Sequence, residues 1–340
     1  MPRVVAVFGA TGTQGSAVVN ALLEDKTFVP RAITRNASSD AAKALAARGA
    51  EVATGDLWDR ESIKKALEGC EAVFGVTNYN DPSIVRGDTA GEIVQGKQLV
   101  DVAKEIGIKF FVWRLVWFFP AAYTQLSTIA ALFRTAQNCQ VANTQEYIIS
   151  IAAVEDYLRA SGLPNASIHT GSFAENIINF PYTFGKDQSG AYELRAPLFS
   201  PTKTVPVLWV EKTLGPIVLA LLKHYQDRAD EVLDKTFYVA NAHITFPGFA
   251  EVLSKGAYPS LLLRSGTSTD GKSSTAIDKP VKFVSPPTTG VKEFDAMNEY
   301  VSEIGLFRDA VLPDPRLVAL GVKFATLEDF AQERAKPHFA

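Results

Sequence analysis

The stretch Val4-Val5-Ala6-Val7-Phe8-Gly9-Ala10-Thr11-Gly12-Thr13-Gln14-Gly15 decides how the rest of the chain folds. Val4 to Phe8 are continuously apolar, as in a strand covered on both faces of a parallel sheet. Gly9, Gly12 and Gly15 follow with G-x-x-G-x-x-G spacing, and Gln14–Leu23 then reads as a helix. Each glycine has its own task in such a turn. Gly9 permits the tight reversal, Gly12 lets backbone approach a pyrophosphate, and Gly15 lets helix and strand pack closely. The helix start offers N–H groups and the positive end of its dipole to the anion. A glycine-rich turn alone is a common loop. A strand before it and a helix after it supply the context that a dinucleotide site requires. Thr11, Thr13 and Gln14 fill the turn and join the candidate cofactor-binding residues.

Outward from this stretch, strand-like and helix-like segments alternate. Val29–Thr34, Glu51–Thr54, Ala72–Val76, Lys109–Trp113 and Ala166–Thr170 read as strands. Between them lie a helix ending at Arg48 and capped by Ser38 or Asp40, helices Arg60–Leu67 and Ile84–Ile106, and helix Ala152–Ala160. Such alternation predicts an α/β fold with a doubly wound parallel sheet and right-handed crossovers. Ligand chemistry in such a sheet sits at the strand ends. Arg35 follows strand two, where an enzyme selective for NAD would place a carboxylate. An arginine suits a 2′-phosphate through paired charge-assisted hydrogen bonds, or it is a solvated surface residue. Asp56, after strand three, can accept from an adenine amino group or serve a turn. Thr77 and Asn78 follow strand four, where a nicotinamide ribose would pass or the chain would simply turn.

The chain resembles the NmrA-like family of atypical short-chain dehydrogenases. The resemblance is carried by Gly9–Gly15, Thr34-Arg35-Asn36, Gly49-Ala50-Glu51-Val52, Gly55-Asp56-Leu57, Val76-Thr77-Asn78-Tyr79, Gln95-Gly96-Lys97 and Phe173-Ala174-Glu175-Asn176. It implies a Rossmann domain binding NADP(H), in preference to NAD, with Gly12, Thr13, Gln14, Arg35 and Thr77 near the cofactor. It also implies a smaller C-terminal α/β lobe for substrate or partner, with Phe173, Glu175 and Asn176 lining the nicotinamide end. On this basis residues 1–170 form the dinucleotide domain and 171–340 the lobe, with some segments exchanged. Members of the family include NADP-sensing regulators that bind protein partners, and oxidoreductases.

The catalytic inventory bears on which of these roles applies. A conventional short-chain dehydrogenase needs a Tyr as general acid, a Lys four residues on, and a Ser. Only Tyr182 has a lysine at that spacing, Lys186, and Pro181 and Gly185 make the segment a poor helix. Arg114 takes the place of the serine expected after strand five, and Ile151 stands where relatives carry a lysine. No catalytic residue is therefore assigned. His169 lies on a strand without a visible carboxylate partner, so packing is the favoured role over catalysis.

Residues 114–151 interrupt the family pattern. Arg114–Ser150 holds three charges (Arg114, Arg134, Glu146) in 37 residues, where average usage gives about nine. A specialised flap and an in-frame retained intron both account for it. The second is favoured because the local pattern conflicts with an otherwise consistent chain.

The C-terminal part reads as strand Thr204–Trp209, with Pro206 suggesting an edge, helix Glu211–Leu222, with Pro216 near its start, and strand Phe237–Val239. Phe246–Leu253 and Val291–Ile304, which contains Met297, read as packing helices. Gly266–Ser273 matches the Walker A string. Ser274–Pro280 after it is short, β-branched and ended by proline, so the helix a phosphate loop needs is missing and a solvated loop is expected.

A formal charge of −3 leaves no basic footprint for nucleic acid. Cys70 and Cys139 form no metal or disulfide pattern, and the run Phe110–Phe119 is too short to span a bilayer. The chain is expected to be a cytoplasmic or nuclear NADP(H)-binding redox sensor working through a regulatory protein partner. The alternative is an NADPH-dependent oxidoreductase acting on a small carbonyl or unsaturated substrate.

Overall fold

The computed structural model describes residues 2–77, 91–116, 153–255, 277, 279–290, 295, 298–299, 301–303, 305–307 and 309–339. Strand β1 (Val4–Val7) is buried at all four positions, and the glycine turn leads into helix α1 (Thr13–Asp25). The alternation continues through β2 (Val29–Thr34), α2 (Asp40–Ala47), β3 (Glu51–Thr54), α3 (Arg60–Leu67) and β4 (Ala72–Gly75). Then come α4 (Gly91–Glu105), β5 (Phe110–Val116), helix α5 (153–160) and β6 (Asn165–Thr170). With a later strand, β11 (Lys235–Val239), they make a seven-stranded sheet of order β11-β6-β5-β4-β1-β2-β3. Every pairing in it is parallel. The chain steps from β1 outward to β3, then returns to build the other side from β4. The direction of winding therefore switches between β1 and β4, giving the doubly wound, Rossmann-like sheet expected from the alternation.

The chain divides into two compact units. The first comprises residues 1–170, 210–239 and 313–323. Its core is aromatic: Phe74, Phe110, Phe111, Trp113 and Phe237 are fully buried. Gly75 makes room for this layer, because a Cβ there would lie 2.7 Å from the Phe111 ring. Helix α7 (Val210–His224) packs on α1 through Gly215, whose Cβ would fall 2.3 Å from the Ala17 carbonyl oxygen.

Several local expectations are corrected in this unit. The cap of α2 is Ser39, whose hydroxyl accepts from the Ala42 amide. Ser38 instead donates to the Asn36 side chain. Strand β5 runs on to Val116, so Arg114 lies within the strand, opposite Ile168 of β6, rather than after it. Pro216 lies well inside α7, not near its start. The buried neighbours Thr213, Leu214, Gly215 and Ile217 hold that segment in place, and packing overrides the lost amide. Residues 84–90, 117–152, 256–276 and most of 291–304 lie outside the described residues. With them lie Asn78, Tyr79, Cys139, Ile151, Met297 and the Walker-like string Gly266–Ser273.

The second unit comprises residues 171–209, 240–312 and 324–340. It holds β7 (Ser172–Phe173), the short helix α6 (Asn176–Asn179), β8 (Phe184–Lys186), β9 (Tyr192–Arg195) and β10 (Thr204–Leu208). β12 (Ala242–Thr245), α8 (Phe246–Lys255) and β13 (Val281–Val284) follow, with helical turns over 327–339 at the end of the chain. Its two sheets run β12-β10-β7 and β13-β9-β8. Pro206 thus sits on a middle strand rather than an edge. β7 is only two residues long and pairs with Val207 and Leu208, leaving Pro206 outside that ladder. Trp209 anchors this unit against Phe330, ring centroids 5.7 Å apart.

Candidate functional site

The glycine turn has the geometry its spacing implies. Gly9 adopts φ +64°, and its carbonyl accepts from the Gly12 amide at 2.9 Å. A Cβ at Gly15 would lie 2.3 Å from the Gly9 carbonyl oxygen, so only glycine allows this approach of helix to strand. Gly12 is different. Its φ of −93° suits any residue, and a Cβ there would meet only the Gly9 oxygen, at 3.4 Å. Neither backbone nor packing demands a glycine at this exposed position. Gly12 is also the N-cap of α1, with no side-chain cap and no acidic residue in the first turn. The opening amides of α1 therefore carry no side-chain cap. Thr11, Gly12 and Thr13 are exposed at this mouth and Gln14 is half-buried.

Arg35 is exposed and directly follows β2, the neighbour of β1. Asn36 beside it is held in place by the Thr34 hydroxyl, which accepts from its amide at 3.2 Å. Asp56, after β3, accepts from the Trp58 amide at 3.0 Å, while its own amide donates to Ser62 Oγ. The described contacts of Asp56 are those of a turn. The residues at the ends of β4, β1 and β2 thus share one edge of the sheet, beside the point where its winding reverses. Phe173, Glu175 and Asn176 belong to the second unit. Glu175 is buried and occupies the N-cap of α6, and the Asn176 carbonyl accepts from the Thr183 hydroxyl at 2.8 Å.

Thr77 brings in a residue that sequence reasoning missed. Its hydroxyl donates to Glu92 Oε1 at 2.6 Å. Glu92, on α4, is 2% exposed, and its Oε2 has no hydrogen-bond partner among the described residues. Burial pushes this carboxyl up to about 7, against the opposing pull of the Thr77 hydroxyl and the Arg114 charge. Arg114 is itself buried and donates to Thr170 Oγ1 at 3.1 Å. A signal for Glu92 was present in the sequence. Glu92, Gln95, Gly96, Leu99 and Val100 fall at the spacing of one helix face, and all five are buried.

His169 does have a carboxylate partner. Its Nε2 lies 3.0 Å from Oε2 of Glu155, on α5. Burial alone would raise the Glu155 carboxyl. The His169 hydrogen bond and charge, with the charge of Arg159, outweigh it and hold the group at about 2. The Tyr182–Lys186 pair fails as expected: Tyr182 is 68% exposed in a turn, and Lys186 ends the short strand β8. Burial pushes the Cys70 thiol up to about 11, so it is no nucleophile near neutral pH. Among the described residues no group of three His, Cys, Asp or Glu side chains could hold a metal ion. None of the described helices is long and apolar enough to cross a membrane.

Comparison with known proteins agrees with this architecture. An NmrA-like family domain-containing oxidoreductase, notA of Aspergillus sp. (strain MF297-2), is 33% identical over 231 residues. The match takes in 64% of this chain and 62% of the relative's own length. Among solved structures, NmrA, a negative transcriptional regulator in complex with NADP, aligns with a TM-score of 0.71 at 19% identity. That alignment covers 98% of this chain and 95% of NmrA. The triphenylmethane reductase of Citrobacter sp., complexed with NADP(H), aligns with a TM-score of 0.62 at 18% identity, over 96% of this chain and 98% of the reductase. At these identities the structural likeness is one of fold. Residues 1–128 match the NmrA-like family model, so this part of the chain is similar to that family.

Proposed function

We propose that this protein binds a nicotinamide dinucleotide, NADP(H) ahead of NAD(H), with the pyrophosphate on the Gly9–Gly15 turn and the 2′-phosphate at Arg35. The observation that carries this is Gly12: an exposed glycine that the fold does not need, at the start of a helix whose first amides carry no side-chain cap. The NADP in the NmrA structure and the NADP(H) in the Citrobacter reductase support the choice of cofactor. Thr77, Asn78 and the Phe173–Asn176 segment are assigned to the nicotinamide end on the family resemblance. The protein acts as a redox-sensing regulator, in which cofactor occupancy orders the strand-end loops and alters a surface read by a partner protein. The lack of a helical Tyr-x-x-x-Lys pair supports this role. A second reading, an NADPH-dependent oxidoreductase, is favoured by the naming of the Aspergillus relative and by the acid Glu92 near Thr77.

Titrating the purified protein with NADPH and NADH tests the binding. NADPH binds more tightly, and Arg35→Ala removes about tenfold of that preference, the worth of one charge-assisted contact to a phosphate. Equal affinity for the two coenzymes in the wild type, unchanged by Arg35→Ala, overturns the assignment. Following NADPH absorbance with quinone and enone substrates then separates the roles, since turnover supports the enzyme and binding without turnover the regulator.

A further inference from the structure

Glu92 is a buried carboxyl placed beside the crevice where the winding of the sheet switches. Gly9 begins the anion mouth on one side of that crevice, and a Cβ on Gly9 would lie 3.0 Å from Val76 Cγ1 on the other. Thr77 follows Val76 directly, and its hydroxyl proton is committed to Glu92 Oε1. The second Glu92 oxygen is buried and unpartnered among the described residues. The side chain is therefore poised between two states: a carboxylate short of one hydrogen bond, and a neutral acid whose O–H is available to donate.

We propose that Glu92 is a positioning residue that makes dinucleotide binding proton-linked. The pyrophosphate arriving at the Gly9–Gly15 mouth drives Glu92 into its neutral form, and the protein takes up a proton with its ligand. This rests on the reading that the turn binds a dinucleotide. Two negative charges brought near a buried carboxylate raise the cost of its ionisation, because the low-dielectric interior screens them poorly. The groups facing Glu92 leave it free to respond. From the β4 side Thr77 is neutral, and from β5 Arg114 is the charged side chain that acts on it. Helix α5 packs on α4 through Val154, which faces Gly96, and its own carboxylate Glu155 is committed to His169 and Arg159. In the free protein the carboxyl already titrates near neutrality, so a modest further rise on binding falls within the working pH range.

The test is calorimetric titration with NADPH at pH 7.5 in two buffers of different ionisation enthalpy, with affinities measured from pH 6.5 to 8.5. The wild type takes up a substantial fraction of one proton, and its Kd rises about tenfold across that range. Glu92→Gln takes up none and shows a nearly flat profile. Thr77→Val removes the hydroxyl that holds the carboxyl down and moves the proton uptake to higher pH. NADH serves as control, because it lacks the 2′-phosphate, whose own titration would run in the opposite sense. The proton count on the wild type needs no variant, so a misfolded Glu92→Gln does not blunt the test. NADPH binding with no proton uptake, or with the same uptake in Glu92→Gln, overturns the proposal and leaves the cofactor reading standing. Absence of NADPH and NADH binding at every pH overturns the cofactor reading as well.

Discussion

Glu92 and Glu155 lie on two helices packed against each other, and both are almost entirely buried, 2% and 4% exposed. Yet one carboxyl is pushed up to about 7 and the other held at about 2. The difference lies in their partners. Among the described residues, Glu92 has one neutral hydroxyl in hydrogen-bond reach and an arginine acting through space. Glu155 has an imidazole at 3.0 Å, the Arg159 guanidinium and the Thr236 hydroxyl at 3.1 Å. Burial alone turns a carboxyl into a near-neutral acid, and burial with cations in contact turns it into a fixed anion. The first can change state when a ligand arrives; the second ties helix to sheet.

If that contrast is right, removing the two carboxylates has unequal effects. Glu155→Ala leaves Arg159 and His169 without their buried anion and destabilises the protein by about 3–5 kcal/mol. In thermal melts this lowers Tm by about 10 °C. A fall of under about 1 kcal/mol, the value of an ordinary surface pair, would erase the distinction.

The second expectation concerns the sign of the pH dependence. The Glu92 carboxyl is raised in the folded state, so the unfolded chain loses this proton first as pH rises. Stability falls between about pH 4.5 and about 7, by on the order of 3 kcal/mol for the full shift, and then levels off. The Glu155 carboxyl is depressed, so its contribution is complete above about pH 4.5 and is lost as pH falls toward about 2. Denaturant melts of Glu92→Gln and of wild type from pH 4.5 to 8.5 should therefore diverge in the variant's favour as pH rises. Parallel curves would contradict the Glu92 environment.

A smaller effect sharpens the comparison further. Thr77→Val deletes the hydroxyl that donates to Glu92 Oε1. It costs about 1–3 kcal/mol at pH 8.5, where the acceptor is charged, and less at pH 5, where it is neutral. A cost that does not vary with pH would mean that Thr77 packs rather than hydrogen-bonds.

The frame of the first unit was legible because its signals are local. Val29–Thr34, Glu51–Thr54 and Arg60–Leu67 begin and end where apolar runs, glycines and Asp59 place them, and Asp59 caps α3 through the Glu61 and Ser62 amides. The glycine turn was legible for the same reason. What escaped depends on residues far apart in the chain. Pro206 looks like an edge residue until β7 and β12 are known to flank β10. Pro216 looks like a helix start until α1 is seen to hold α7. His169 looked solitary because its carboxylate lies on the preceding helix, fourteen residues earlier. Glu92 shows only as one acidic letter on an apolar face, and its meaning comes from Thr77, just past β4, and Arg114 on β5.

The order in which the large sheet is assembled has a consequence for biosynthesis. All six residues of β6 are buried, and its outer flank is covered by β11, which pairs Lys235–Val239 along Ala166–Thr170. On the ribosome β6 emerges well before β11 is translated. Until then its unpaired edge is a template for neighbouring nascent chains. A fragment stopped at residue 170 would retain the glycine turn and still precipitate, and extending it through residue 239 would restore the missing flank.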